Sequence, residues 1–153
     1  MLLPSLRDAI RLTAMRIHHA QLSVKTAGRI SVENVTPMVR RELQTAGLAA
    51  GIAVISVPHT TCGVVLNEDE QGLRQDMLHL AEKLLAPMAS ERDFAHNCVD
   101  DNAQAHLTSI LLGHSVTVPV AGGQLVLGTW QSIFLIEMDG PRSRSLGVQI
   151  LGE

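Results

Sequence analysis

From Arg16 to Val24 the chain reads Arg-Ile-His-His-Ala-Gln-Leu-Ser-Val, and from Arg29 to Glu33 it reads Arg-Ile-Ser-Val-Glu. Apolar and β-branched residues interleaved with polar ones, and broken by Thr26-Ala27-Gly28, predict two strands joined as a hairpin. Thr36 then predicts an N-cap, Pro37 the first helical position, Met38 to Ala46 the body of a helix and Gly47 its C-terminal cap. Gly51 to Val57 is continuously apolar, which predicts a strand covered on both faces, and Gly63 to Leu66 is a second such run. Leu73, Met77, Leu80 and Leu84 recur at helical spacing and place an amphipathic helix over Gln71 to Leu85, with Arg74, Glu82 and Lys83 on its other side. Glu68, Asp69 and Glu70 precede it, where a helix N-terminus favours negative charge.

An irregular stretch is expected from Pro87 to Asp101. A third helix follows from Ala103 to Leu112, with Asn102 placed to cap it and Gly113 to end it. The remainder reads as strands at Ser115–Val120, Gln124–Leu127, Thr129–Met138 and Arg144–Leu151, with Ala121-Gly122-Gly123 as a hairpin turn. Helices fall between groups of strands without a regular βαβ alternation, so the expected class is α+β, one domain over residues 15–153. Residues 1–14 are set apart as an N-terminal extension; Ser5 to Met15 reads either as a short amphipathic turn or as a ragged lead-in.

Composition changes this picture in two ways. Hydrophobic residues are 46% and charged ones 18% of 153 residues, too apolar for disorder and charge-poor for a small monomer, which points to an oligomer. The net charge is −3 with no basic run, and aromatics are 2%, so neither a phosphate-backbone footprint nor a base-stacking platform is present and no nucleic-acid partner is expected. Cys62 and Cys98 fit no CxxC or disulfide framework, and the first residues lack the features of a secretory leader, so a cytoplasmic protein is expected. The longest charge-free stretch, Asn102 to Ile136, is interrupted by His, Gln, Gly and Pro119, so no membrane span is expected.

Seven histidines carry most of the candidate chemistry. His59 follows a predicted strand, His96 lies in the irregular stretch, and His106 is in the first turns of the third helix. Three imidazoles leaving a fourth position open would suit a catalytic divalent metal, yet the spacing is neither HxxEH nor HExxH. The alternative is three separate hydrogen-bonded histidines that never meet. His18, His19, His79 and His114 read as ordinary surface or half-buried residues. Cys62 stands three residues after His59 and could reach the same ligand, or be a small buried thiol with nothing basic beside it in sequence. Glu68 and Asp76 could orient a histidine by its second ring nitrogen, or Glu68 could act as general base; helix-terminus electrostatics is the alternative for Glu68. Arg142 and Arg144, two apart, could offer paired donors to a phosphate or carboxylate, or could be salt-bridged to Glu137 and Asp139. Trp130 could wall a pocket or fill the core.

The set His59-Thr-Thr-Cys-Gly63, Asn67-Glu68, Asp76, His96, Ala105-His106-Leu107, Gly113, Leu127-Gly-Thr-Trp-Gln131 and Asp139-Gly-Pro-Arg142 resembles the YjbQ-like family, the secondary thiamine-phosphate synthase group. The resemblance runs from about Met15 to Glu153. It departs at Cys62, where the family commonly has Ala or Ser, and around Asp69 and Glu70, where the family's acidic segment often continues to a proline. The resemblance implies an α+β, sandwich-like subunit with helices packed against it that forms a homotrimer, with sites near subunit boundaries. It implies that His59, His96 and His106 converge on a divalent metal (Zn or Mg/Mn), with Glu68 and Asp76 close by and Arg142 or Arg144 facing an anion. The implied substrates are phosphorylated small molecules, an aminopyrimidine pyrophosphate joined to a thiazole phosphate with release of pyrophosphate. A metal-dependent hydrolase, or a non-catalytic trimer that binds a metal or anion, are the alternatives.

Overall fold

The computed structural model describes residues 15–89 and 94–153, and the expected turn over residues 5–14 lies outside them. Strand β1 (Arg16–Lys25) is followed by β2 (Ser31–Asn34), helix α1 (Thr36–Ala46), β3 (Ala50–Ser56), β4 (Cys62–Glu68) and helix α2 (Gln71–Ala89). A single 3-10 turn (Ala95–Cys98) leads to α3 (Ala103–Leu112), then β5 (Ser115–Ala121), β6 (Gln124–Leu125), β7 (Gln131–Glu137) and β8 (Ser143–Gly152). The strands form two sheets, β1-β8-β3-β5-β6 and β2-β7-β4, with every pairing antiparallel. The α+β class and the single domain are as expected.

β1 and β2 are not a hairpin. β1 pairs with β8, Arg16 opposite Gly152 through Lys25 opposite Ser143, whereas β2 pairs with β7 in the other sheet. The turn residues Thr26 to Gly28 are real turn formers, but the chain uses them to step from one sheet to the other. The same step is taken in reverse between β7 and β8, across Met138 to Arg142 with a cis Gly140–Pro141 bond. Two crossings therefore lie side by side. The amide of Thr26 donates to the Arg142 carbonyl at 3.0 Å, and a Cβ added to Gly140 would fall 2.7 Å from Glu137 Cγ and 2.9 Å from Thr26 Oγ1. Only glycine fits that seam.

The main core fills the space between the sheets: Ala53, Ile55, Val118, Val148 and Ile150 from the larger sheet meet Val64, Ile133 and Leu135 from the smaller. α1 closes it with Val39 and Leu43. β7 alternates across its own sheet, so Phe134 and Ile136 face away into a second core with Met138, Leu85 and Ala105, under α2 and α3. β7 is thus the strand covered on both faces, each large side chain contributing roughly 1.5–3 kcal/mol by burial. β3, expected to be that strand, alternates instead, with Ala53 and Ile55 inside and Ile52 exposed.

Helix ends follow local chemistry more closely than residue type predicts. Val35, not Thr36, occupies the N-cap of α1; Asn34 Oδ1 accepts the Thr36 amide at 2.9 Å, and Thr36 Oγ1 accepts the amide of Ile133 at 2.7 Å, tying the helix to β7. Gly47 ends α1 as expected, in the left-handed conformation, donating to Leu43 O. α2 runs past Pro87 to Ala89 where an end at Leu85 was expected, and its buried stripe passes through Ala81 and Leu85 while Leu80 is 58% exposed. Among the described residues, no helix is long and apolar enough to cross a membrane.

Candidate functional site

The seam between the two sheets is where the polar side chains gather. Glu137, the last residue of β7, is fully buried, and both its oxygens receive protons from Arg144 on β8: Nε donates to Oε2 at 2.6 Å and Nη2 to Oε1. Oε1 also accepts the backbone amides of Met138 and Asp139, and Oε2 accepts the Thr26 hydroxyl. Arg144 Nη2 in turn donates to Thr61 Oγ1 at 2.8 Å. Burial by itself would push the Glu137 carboxyl up, yet the Arg144 hydrogen bonds and charge, with the Asp139 amide, hold it below its ordinary value. Arg144 is raised by the same bonds. Nε and Nη2 of the guanidinium are therefore committed inside the protein to Glu137 and Thr61, where the expectation was a pair of donors shared with Arg142 on an anion.

The loop after β3 is held against this pair. The Thr61 carbonyl accepts the Met138 amide, and the Thr60 carbonyl accepts Ser109 Oγ of α3 at 2.7 Å. His59 Nε2 receives the Ser145 amide at 2.8 Å. An imidazole nitrogen that accepts a proton bond carries no proton, so His59 is neutral with its hydrogen on Nδ1. Burial first, and then the Arg144 charge, lower its pKa, against a smaller opposing pull from Glu137. Cys62, next along, is fully buried, and burial raises its thiol to about 11 although Arg144 pulls the other way, so it is the inert buried thiol.

On the other side of the seam stands a second cluster. Asn102, buried at the head of α3, makes no cap with its side chain; Asn97 Oδ1 accepts the Ala103 amide instead. Asn102 Nδ2 donates to Asp100 Oδ2 and to Asp139 Oδ2, each at 3.0 Å, and Oδ1 meets His96 Nε2 at 3.0 Å. Two carboxylate acceptors fix which end of the amide is nitrogen, so Oδ1 is the acceptor and His96 Nε2 carries a proton. The His96 and His106 rings stand edge to face, 4.8 Å between centroids at 75°. Arg142 closes the cluster, donating from Nη2 to Asp139 Oδ2 at 2.8 Å and from Nε to Asp139 O, and it remains half-exposed with donors to spare. An open pocket of about 410 Å³ adjoins the histidine end of this cluster, lined by Phe94, Ala95, His96, Ala103, His106 and Leu107, while Arg142 lines a separate open pocket with Lys25, Thr26, Pro141 and Ser143.

Of the residues expected at a site, the fold thus brings His96, His106 and Arg142 to one cluster and places His59 on the adjoining loop. It does not bring Glu68 or Asp76 there. Glu68 ends β4 six residues from Cys62, about 20 Å along the strand, and Asp76 is exposed on α2. Glu70 caps α2, its carboxylate lowered by the amides of Gly72 and Leu73, and Asp69 bonds Asn34 and Arg74. Trp130 is 70% exposed and neither walls the pocket nor fills the core. His18 pairs with Glu42 and His79 with Glu82 away from the seam. Sequence reasoning missed Asn102 as a hub because it read the residue as a cap; its distances of six from His96 and four from His106 were the available signal.

One subunit does not fit a three-imidazole metal. His59 accepts an amide at Nε2 and carries its hydrogen on Nδ1, so it has no lone pair to offer, whereas His96, bonded through Nε2, keeps Nδ1 free; among the described residues no group of three or more His, Cys, Asp or Glu side chains could hold an ion.

Two face-to-face antiparallel sheets with helices over the smaller one, and a histidine, asparagine and carboxylate cluster at their seam, define a mixed α+β class. The family model for UPF0047, YjbQ-like proteins matches residues 20–153, and the chain belongs to that family. A UPF0047 protein of Archaeoglobus fulgidus is 43% identical over 131 residues, covering 86% of this chain and 99% of the relative. The UPF0047 protein YugU of Bacillus subtilis is 36% identical over 132 residues, covering 86% and 97%. Among solved structures, a YbjQ-like protein of unknown function from Sulfolobus solfataricus superposes with a TM-score of 0.84 at 41% identity, covering 91% of this chain and 99% of that one.

Proposed function

We propose that the chain is a transferase acting on phosphorylated small molecules, and that it performs the reaction its resemblance implies: joining an aminopyrimidine pyrophosphate to a thiazole phosphate. The observation that carries this reading is the Asn102 hub, which orders His96 beside His106 and ties Asp139, and through it Arg142, to the same few ångströms. In that reaction the thiazole nitrogen attacks the pyrimidine methylene carbon. A C–N bond forms, the C–O bond to pyrophosphate breaks, and pyrophosphate leaves with the bonding pair. No proton is taken from carbon, so what is needed is donors aimed at the developing negative charge rather than a strong base. The half-exposed Arg142 guanidinium and the ring N–H of His106 are such donors, and His96, whose Nε2 hydrogen is given to Asn102, holds the His106 ring edge to face. Glu68, far along β4, is not required.

Assembly is part of the proposal. α3 buries its small and polar side, Ala103, Gln104, Ala105, Thr108 and Ser109, and exposes Leu107, Ile110 and Leu111, the last two at 71% and 74%. A helix with its leucines outward and His106 among them is suited to a homotrimer contact that walls the pocket. A divalent metal, Zn or Mg/Mn, is the second reading: the His96–His106 pair supplies two of the ligands such an ion takes, and a neighbouring subunit would have to supply the rest. The free Cys62 and Cys98 favour a reducing, cytoplasmic setting.

The test is formation of thiamine phosphate from the two substrates by purified protein, after chelation and again with Zn, Mg or Mn restored, beside His106→Ala and Asn102→Ala variants of unchanged size in solution. Product from the wild type, lost in both variants, is the expected result. Product equally from all three would refute the site, and no product from the wild type under any metal condition would refute the reaction.

A further inference from the structure

On the opposite side of α3 from His106, between α2, α3 and β4, lies a second cavity of about 190 Å³. Its walls are apolar, chiefly Val65, Leu66, Met77, Leu84, Leu112 and Ile136, and among the described residues no charged side chain lines it. Two polar residues do. Thr108 is 1% exposed and its hydroxyl has no hydrogen-bond partner among the described residues, an unusual state for a buried hydroxyl. Asn67 accepts the Glu68 amide with Oδ1, but its Nδ2 meets only the thioether of Met77 at 3.4 Å, a weak acceptor. A threonine on a helix divides between two χ1 wells about 120° apart, so the Thr108 hydroxyl, on the cavity wall, is able to turn toward an occupant. For scale, a dry engineered cavity of about 150 Å³ holds benzene.

We infer that this cavity is a binding site for a neutral molecule the size of one ring or a short branched chain, carrying a single hydroxyl or carbonyl oxygen. The apolar walls take the body, Thr108 Oγ1 and Asn67 Nδ2 take the oxygen, and the absence of a lining charge excludes an anion such as a phosphate ester. The inference is independent of the function proposed for the seam, since it uses none of those residues.

The test uses the full chain with phenol and benzene as probes, read by the methyl resonance of Met77 in a titration. Phenol is expected to shift that methyl and to bind more tightly than benzene, and Thr108→Val, which keeps the shape and removes the hydroxyl, to weaken phenol about tenfold while leaving benzene unchanged. Leu80→Trp, at an exposed position on the rim, is expected to block both probes with the size of the protein in solution unaltered. The inference is overturned if neither probe moves the Met77 methyl at millimolar concentration, or if Thr108→Val affects both probes alike. It is equally overturned if Leu80→Trp changes the oligomer, for the cavity then belongs to a subunit contact.

Discussion

Replacing Glu137 by Gln removes one charge from a pair that water reaches on neither side, since Glu137 is fully buried and Arg144 nearly so. With its oxygen in the place of Oε1 the Gln still accepts both backbone amides, so local shape survives, but Arg144 is left as an uncompensated buried cation. Breaking such a pair from one side costs about 3–5 kcal/mol, whereas replacing both partners by apolar residues of similar volume is far less costly. For a chain of this length that corresponds to about 6–20 °C in melting temperature, measured at one fixed protein concentration. Glu137→Gln and Arg144→Met are each expected to fall in that range, and the double variant to lose clearly less than the sum. Acidification gives a second reading. The folded carboxyl titrates below its unfolded value, so its contribution is present above about pH 4.3 and is lost as pH falls through the lowered folded value; Glu137→Gln should begin less stable at neutral pH and show a flatter decline in acid. A loss under about 1 kcal/mol for Glu137→Gln, with additive behaviour in the double variant, would refute the account of the seam as held by this pair.

Three further expectations are independent of it. His59 should give nitrogen resonances of the neutral Nδ1–H form and titrate below the ordinary imidazole value, and its depressed pKa means that the stability it confers is complete above about pH 6.5 and is lost as pH falls through the folded value; an imidazolium persisting above about pH 6.5 would contradict the Ser145 bond. Iodoacetamide at pH 8 should modify the exposed Cys98 and spare Cys62, giving one adduct per native chain by mass and two after unfolding. Gly63→Ala places a Cβ 2.8 Å from Leu112 Cβ and 2.9 Å from the Gly113 carbonyl, so it should cost about 1–3 kcal/mol in denaturant unfolding, with no loss if α3 were free to move outward.

Periodicity located the elements but not their partners. The strands at Arg16–Lys25 and Ser31–Asn34 were legible from alternation, yet a local turn signal cannot say that each strand's mate is more than a hundred residues away. Gly47 was predictable because its left-handed conformation is a local requirement, whereas Thr36 was misplaced by one because its hydroxyl bonds β7, a contact with no local signature. At the site, His96 and His106 were found by residue type and Arg142 by its spacing from Arg144. Asn102 and the burial of Arg144 were not found, since both depend on which face of the chain meets the seam. Glu68 was singled out as a carboxylate able to orient a histidine or act as general base, and strand geometry then carries it to the far end of β4.

The adjoining crossings impose an order on how this protein is made. Thr26 and Arg142 are 116 residues apart yet share two hydrogen bonds, Thr26 N–H to the Arg142 carbonyl and Arg142 N–H to Thr26 Oγ1, and β1 finds its mate only in β8, more than a hundred residues on. A nascent chain that has already produced His59, His96 and His106 still lacks the strand that seats Arg144 and the turn that carries Asp139. Long-range pairing of this kind is slow to form. The histidine cluster and the seal on the larger sheet are therefore completed together, once β8 has been made, and a chain truncated after α3 carries His96 and Asn102 without the Asp139 carboxylate that anchors them.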